Sequence, residues 1–139
     1  MAAEVWVEVV IDHGPHAGPG RITVLRLLWR PADPCAVVLR LTASPEHPAL
    51  ARGEWVLLRE VLRDGLAGQS GEGLVRVHPD GLRDRVWLEL DRSGPPACLS
   101  VPRDVVADFL SRTERVVPYG SEGTADAVED LLRAVLPSG

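Results

Sequence analysis

Asp12, His13 and His16 form the tightest grouping of chemically capable side chains in this 139-residue sequence. Two imidazoles and a carboxylate are ligands that zinc accepts. The run that holds the histidines, His13 to Gly20 (HGPHAGPG), is too rich in glycine and proline for helix or strand, and no fourth ligand lies nearby. Such a loop fixes ligands poorly, so these histidines read as solvated, and no metal or cofactor is expected. Ser70 sits in Gln69-Ser70-Gly71, which lacks the Gly-x-Ser-x-Gly turn that presents a nucleophile. Gly68, Gly71 and Gly73 look like a phosphate loop in composition only. A phosphate cradle runs strand, loop, helix, whereas here a helical pattern precedes the glycines and a strand pattern follows. No catalytic set emerges, and the chain reads as a non-enzyme.

The best-marked stretch, Trp55 to Pro79, contains no catalytic set either. A short strand leads into a helix in which Leu58, Val61, Leu62 and Leu66 recur at the spacing of one face. Gly65 suits a tight helical ending. Gly71 and Gly73 bracket a turn, and Leu74 to His78 alternates with Val75 and Val77 on one side. Arg59 and Arg63, one helical turn apart, are expected on the exposed face, with Glu60 partly offsetting their repulsion. The segment looks built to fold and be recognised.

Around it, Val5, Val7, Val9 and Ile11 alternate with polar neighbours, as in a half-buried strand. Ile22 to Arg30 is apolar on both faces, which suggests a central or covered strand. Cys35 to Leu41, Arg85 to Asp91 and Ala97 to Val101 supply further strands. Pro102 fits the first position of a helix whose apolar face is Val105, Val106, Phe109 and Leu110. A last helix is expected at 124–136, with Val128, Leu131, Leu132, Val135 and Leu136 on one face and an acidic first turn. The pattern is four strands and a helix, three strands and a helix, then a terminal helix. That is one α+β domain over residues 1–139, with an antiparallel sheet and helices to one side.

Composition narrows the function classes. A net charge of −5 disfavours polyanionic partners, because nucleic-acid modules carry a basic excess. Cys35 and Cys98 lie far apart in predicted strands, as small buried hydrophobes of a reduced, cytoplasmic protein. No run approaches the length of a membrane span. Four of the six aromatic residues are tryptophans. Trp6 and Trp87 fall on the more polar side of their strands, which points to a subunit or partner interface.

Four blocks in order carry a resemblance: Asp33-Pro34-Cys35-Ala36-Val37; Trp55 through Arg59 and Leu62 to Gly65; Gly71-Glu72-Gly73-Leu74-Val75; and Phe109-Leu110-Ser111-Arg112-Thr113 followed by Val117-Pro118-Tyr119-Gly120 and Glu122. Together they resemble the SsgA-like family of sporulation and cell-division proteins, across about four-fifths of the chain. Cys35, Leu57 and Leu74 depart from the family's usual Tyr, Phe and Asp.

The resemblance implies a twisted, whirly-like antiparallel sheet of about seven strands with about three helices. It implies an adaptor in the sporulation-linked division of mycelial bacteria, acting at division septa by binding the tubulin homologue FtsZ or other division and wall proteins. It also implies a homo-oligomer, a trimer by analogy. Trp55, Arg59, Arg63, Gly71, Gly73 and Leu74 are the expected partner contacts, and Phe109, Thr113 and Pro118 the scaffold. A single-stranded nucleic-acid binder is the alternative, since whirly-type sheets serve that role elsewhere.

Overall fold

A computed structural model describes residues 4–12, 22–43, 53–91 and 97–121. It contains β1 (Val5–Asp12), β2 (Ile22–Arg30), β3 (Asp33–Ala43), β4 (Gly53–Leu58), α1 (Arg59–Asp64), β5 (Val75–Pro79), β6 (Arg85–Leu90), β7 (Ala97–Pro102) and α2 (Arg103–Val116). Over the described residues the α+β class and the order of seven strands and two helices follow the sequence reading, but the strands form two sheets where one was expected. The strands divide into a four-stranded sheet, β1-β2-β3-β4, and a three-stranded sheet, β5-β6-β7, each antiparallel. The helix expected at 124–136 and the histidines His13, His16 and His47 lie outside the described residues.

Period-two alternation places one set of side chains from each sheet inside. Leu25, Leu27 and Trp29 of β2, Val37, Leu39 and Leu41 of β3, and Val86, Leu88 and Leu90 of β6 are buried in a single cluster. β4 adjoins β5 and β7 adjoins β1, so the two sheets wrap one core. Into it α2 sends Val106, Phe109 and Leu110, and α1 sends Leu62. Full burial of Phe109 contributes about 3 kcal/mol. Trp55 ties the sheets together, its indole Nε1 donating to the Asp91 carbonyl just past β6 at 2.8 Å.

Some local expectations are corrected. Pro102 closes β7 and forms the N-cap of α2, with ψ 132° in the extended range, so Arg103 is the first helical residue. Cys98 is exposed; only Cys35 is buried. Gly65 does end α1 as its C-cap, in a right-handed conformation with φ −65°. Glycine is required there because a Cβ would overlap the Val77 side chain.

The outer face of the larger sheet is laid out in rows by its register. Trp6, Leu28, Val38 and Val56 align across β1 to β4. Glu8, Arg26, Arg40 and Glu54 form the next row. Within that row Glu8 pairs with Arg26 and Arg40 with Glu54, while Arg30 pairs with Glu4 nearby. Trp6 is 50% exposed, with the Arg26 guanidinium 5.2 Å from its ring centroid.

Candidate partner-binding surface

β4 runs straight into α1, since Leu58 is still extended and Arg59 is already helical. That junction points Arg59 inward. The side chain is 1% exposed, which overturns its expected place on the exposed face. Its Nη1 donates to the Val117 carbonyl at 2.7 Å and lies 3.4 Å from Thr113 Oγ1. The guanidinium also sits 4.3 Å from the Tyr119 ring centroid and 5.5 Å from that of Trp29. Rings on two sides and a carbonyl acceptor make this burial of charge tolerable. Thr113 is buried too, donating its hydroxyl to the Leu110 carbonyl at 2.7 Å. Val117, the C-cap of α2, gives its own N–H to the Thr113 carbonyl.

Arg63, one turn further along α1, is the half-exposed member of the pair. Its guanidinium lies 4.5 Å from the Tyr119 ring centroid, so one aromatic ring serves both arginines. Its Nε donates to Asp64 Oδ1 at 3.1 Å. That hydrogen bond, with the negative charges of Asp64 and Glu60, holds the Arg63 pKa above its ordinary value despite some loss of solvation. Arg63, Leu66, Ala107, Leu110, Glu114 and Tyr119 border a shallow groove of roughly 280 Å³ between α1 and α2.

The glycine turn is bound to the same helix. Gly71 and Gly73 adopt φ of +93° and +90°, the left-handed region that glycine enters without strain. A Cβ on Gly71 would lie 2.5 Å from the Val75 carbonyl oxygen and 3.1 Å from Val61 Cγ1 of α1, whereas Gly73 faces open space. Ser70 and Val77 exchange backbone hydrogen bonds of 2.8 Å and close the loop.

Leu74 is half-buried against the core, and its carbonyl accepts the Asp91 N–H at 2.8 Å. This packing suits the apolar side chain at a position where the resemblance leads one to expect Asp. Trp55 is also buried, 8% exposed. The six expected contacts therefore separate by depth. Arg63, Gly71 and Gly73 reach the surface, Trp55 and Arg59 hold the structure beneath, and Leu74 sits between.

Val117 and Tyr119 stand in a block that carries the family resemblance, but the sequence reading assigned them no role in the site. The signal was available in the ordered pairing of that block with Arg59. Among the described residues no three His, Cys, Asp or Glu side chains converge as metal ligands. No helix among them is long and apolar enough to cross a membrane.

Comparison with known proteins covers this whole surface. The family described as Streptomyces sporulation and cell division protein, SsgA, matches residues 23–122. The sporulation-specific cell division protein SsgB of Kineococcus radiotolerans is 34% identical over 138 residues, covering 93% of this chain and 78% of that one. SsgB of Salinispora tropica is 39% identical over 115 residues, covering 79% and 77%. Among solved structures, one described as "Mutations in SsgB correlate to longitudinal cell division during sporulation of Streptomyces coelicolor" aligns with TM-score 0.71 and 28% identity, over 88% of this chain and 93% of that one. The SsgA-like sporulation-specific cell division protein of Thermobifida fusca shares the fold, at TM-score 0.66 and 24% identity over 96% and 94%.

Proposed function

The chain belongs to the SsgA family of sporulation and cell-division proteins, and from that premise we propose that it is a non-enzymatic adaptor in sporulation-associated septation. The observation that carries this reading is the exposed half of the Arg63–Tyr119 stack. A cation and a ring are held at the surface by a buried Arg59 anchor, with the glycine turn packed against the same helix. Arginine and aromatic residues on a rigid support are the side chains that dominate protein–protein contacts. Division or wall-assembly proteins, FtsZ among them, are the proposed partners, met at division septa in the cytoplasm. Arg63 and the Gly71–Gly73 turn make the contact, Leu74 borders it, and Trp55 and Arg59 position it.

Self-association belongs, in this reading, to the outer face of the larger sheet, where the Trp6-Leu28-Val38-Val56 row lies beside charges already paired. A homotrimer is the assembly that the family resemblance suggests. In this reading the chain acts as one domain. Nucleic-acid binding draws no support from this sheet, because Arg26, Arg30 and Arg40 are each paired with a glutamate.

The test is a fluorescent fusion followed through septation in a sporulating mycelial host, with pull-down of division proteins. Wild-type protein should mark septa and retain a division protein, and Arg63→Glu should lose both. Diffuse fluorescence and an empty pull-down from the wild type would sink the adaptor reading.

A further inference from the structure

The smaller sheet carries a second surface feature, remote in sequence from α1. A cleft of roughly 400 Å³ opens between Ile11, near the end of β1, and the outer face of β6 and β7. Arg85, Trp87 and Ser100 form its wall, and Asp80 and Arg83 contribute from the β5–β6 turn.

The polar groups are fixed in a way that leaves positive charge available. Asp80 is occupied internally: Oδ1 accepts the Leu82 N–H at 2.9 Å and the Arg83 N–H at 3.3 Å, and Oδ2 accepts the Trp87 indole N–H at 3.1 Å. The carboxylate thereby sets both the turn and the ring. Arg85 is braced from one side, Nε donating to Ser100 Oγ at 2.6 Å and Nη2 to the Ser100 carbonyl at 2.9 Å. The Arg83 guanidinium makes no hydrogen bond or ion pair among the described residues, and neighbouring Leu82 is 96% exposed. Among the residues that line the cleft, two guanidinium groups thus stand against one carboxylate already engaged, beside an immobilised indole. Exposed Asp84 separates the two arginines in sequence but is not part of the lining, and exposed Leu82 precedes them on the same turn.

We propose that this cleft binds an acidic segment of a partner protein, with a carboxylate held by Arg83 and Arg85 and an apolar neighbour against Leu82 and Trp87. Guanidinium groups grip carboxylates through paired, charge-assisted hydrogen bonds. The leucine and indole favour a peptide over a nucleic acid. A phosphodiester strand needs a continuous basic track, and on β5 and β6 Arg76 is already paired with Glu89. The surface is separate from the α1–α2 groove, so it stands or falls independently of the contact assigned to Arg63.

The experiment titrates a capped hexapeptide of glutamate and leucine into nitrogen-15-labelled protein, with the Trp87 indole resonance assigned through Trp87→Phe. Saturable shifts are expected at the Trp87 indole and at the amides of residues 82 to 87, weakening as salt is raised. Arg83→Glu should reduce the affinity at least about tenfold, the loss of one charge-assisted hydrogen bond. Arg83→Lys should retain part of it. Equal affinity in Arg83→Glu overturns the proposal. So do shifts confined to Arg63 and Tyr119, or equally tight binding of an oligothymidylate of the same charge.

Discussion

Arg59 reaches across 58 positions of sequence to donate its Nη1 hydrogen to the carbonyl of Val117, 2.7 Å away. The first residue of α1 thus holds the residue that caps α2. Two sequence blocks that look unrelated are one structural unit, and Tyr119 closes it by stacking on the same guanidinium.

Replacing Arg59 should therefore act on stability. Arg59→Met keeps most of the volume but removes a charged hydrogen bond and the stacking, and should lower the unfolding free energy by about 2–3 kcal/mol. Arg59→Lys should recover little, because an ammonium lacks the planar fork. Urea denaturation followed by circular dichroism measures both. An Arg59→Met curve overlying wild type would contradict the anchoring role.

Arg63 should behave in the opposite way. Its ion pair with Asp64 is between adjacent, partly solvated groups and contributes at most about 1 kcal/mol. Arg63→Glu should melt close to wild type while failing to capture a division protein. Capture at wild-type level would place the contact elsewhere.

Two glycines of the same segment should fail for different reasons. Gly65→Ala drives a methyl into Val77, within 2.5 Å of its Cβ as well as its Cγ1, and should cost about 1–3 kcal/mol. Part of that cost should reappear as a favourable coupling with Val77→Gly, which removes both atoms, in a double-mutant cycle. Gly73→Ala meets no neighbour, yet φ of +90° should cost about 1–2 kcal/mol with no such rescue. Melting of the single and double variants separates overlap from backbone strain.

On the outer face of the larger sheet, Leu28→Asp places a charge in the apolar row beside Trp6. Light scattering should report a smaller assembly, with the circular dichroism spectrum unchanged. Raising salt should change the wild-type mass little, because the neighbouring arginines and glutamates already neutralise one another. An undiminished assembly in Leu28→Asp would exclude this face.

Asp80 predicts an acid-side effect. The Leu82 N–H, followed by the Trp87 indole and the Arg83 N–H, holds its carboxyl below the ordinary 3.8. The folded chain thus binds this proton less readily than the unfolded one. The stabilising contribution is complete above about pH 5 and is lost as pH falls past 3.8 and through the folded value. Melting temperatures of wild type and Asp80→Asn should differ at pH 6 to 7 and converge toward about pH 2 to 3. A constant difference would mean that Asp80 acts by shape alone.

Much of this architecture was legible in the residues. Alternation along Val5 to Ile11 and around Val75 and Val77 gave strands with the correct buried side, because period two is a local property. The partition into two sheets was not local; it depends on which edges pair. Arg59 was misplaced for a related reason. Helical spacing tells which residues share a face, but the four-residue pair Arg59 and Arg63 straddles the boundary between core and surface, and only the junction with β4 decides the depth of each. Leu74 shows the converse, since its apolar character anticipated packing that a family-based expectation of contact obscured. The Arg83–Arg85 cleft needed tertiary proximity of β1 to β7, which no single segment announces.

The contact of Gly65 with Val77 has a mechanical consequence. With no clearance for even a methyl group, helix and strand cannot slide past one another without first separating, so the segment carrying Arg63 is clamped in register with the sheet. A partner docking at the proposed Arg63 contact would meet a surface that is already formed. Little ordering entropy is then lost on association, and discrimination rests on fit.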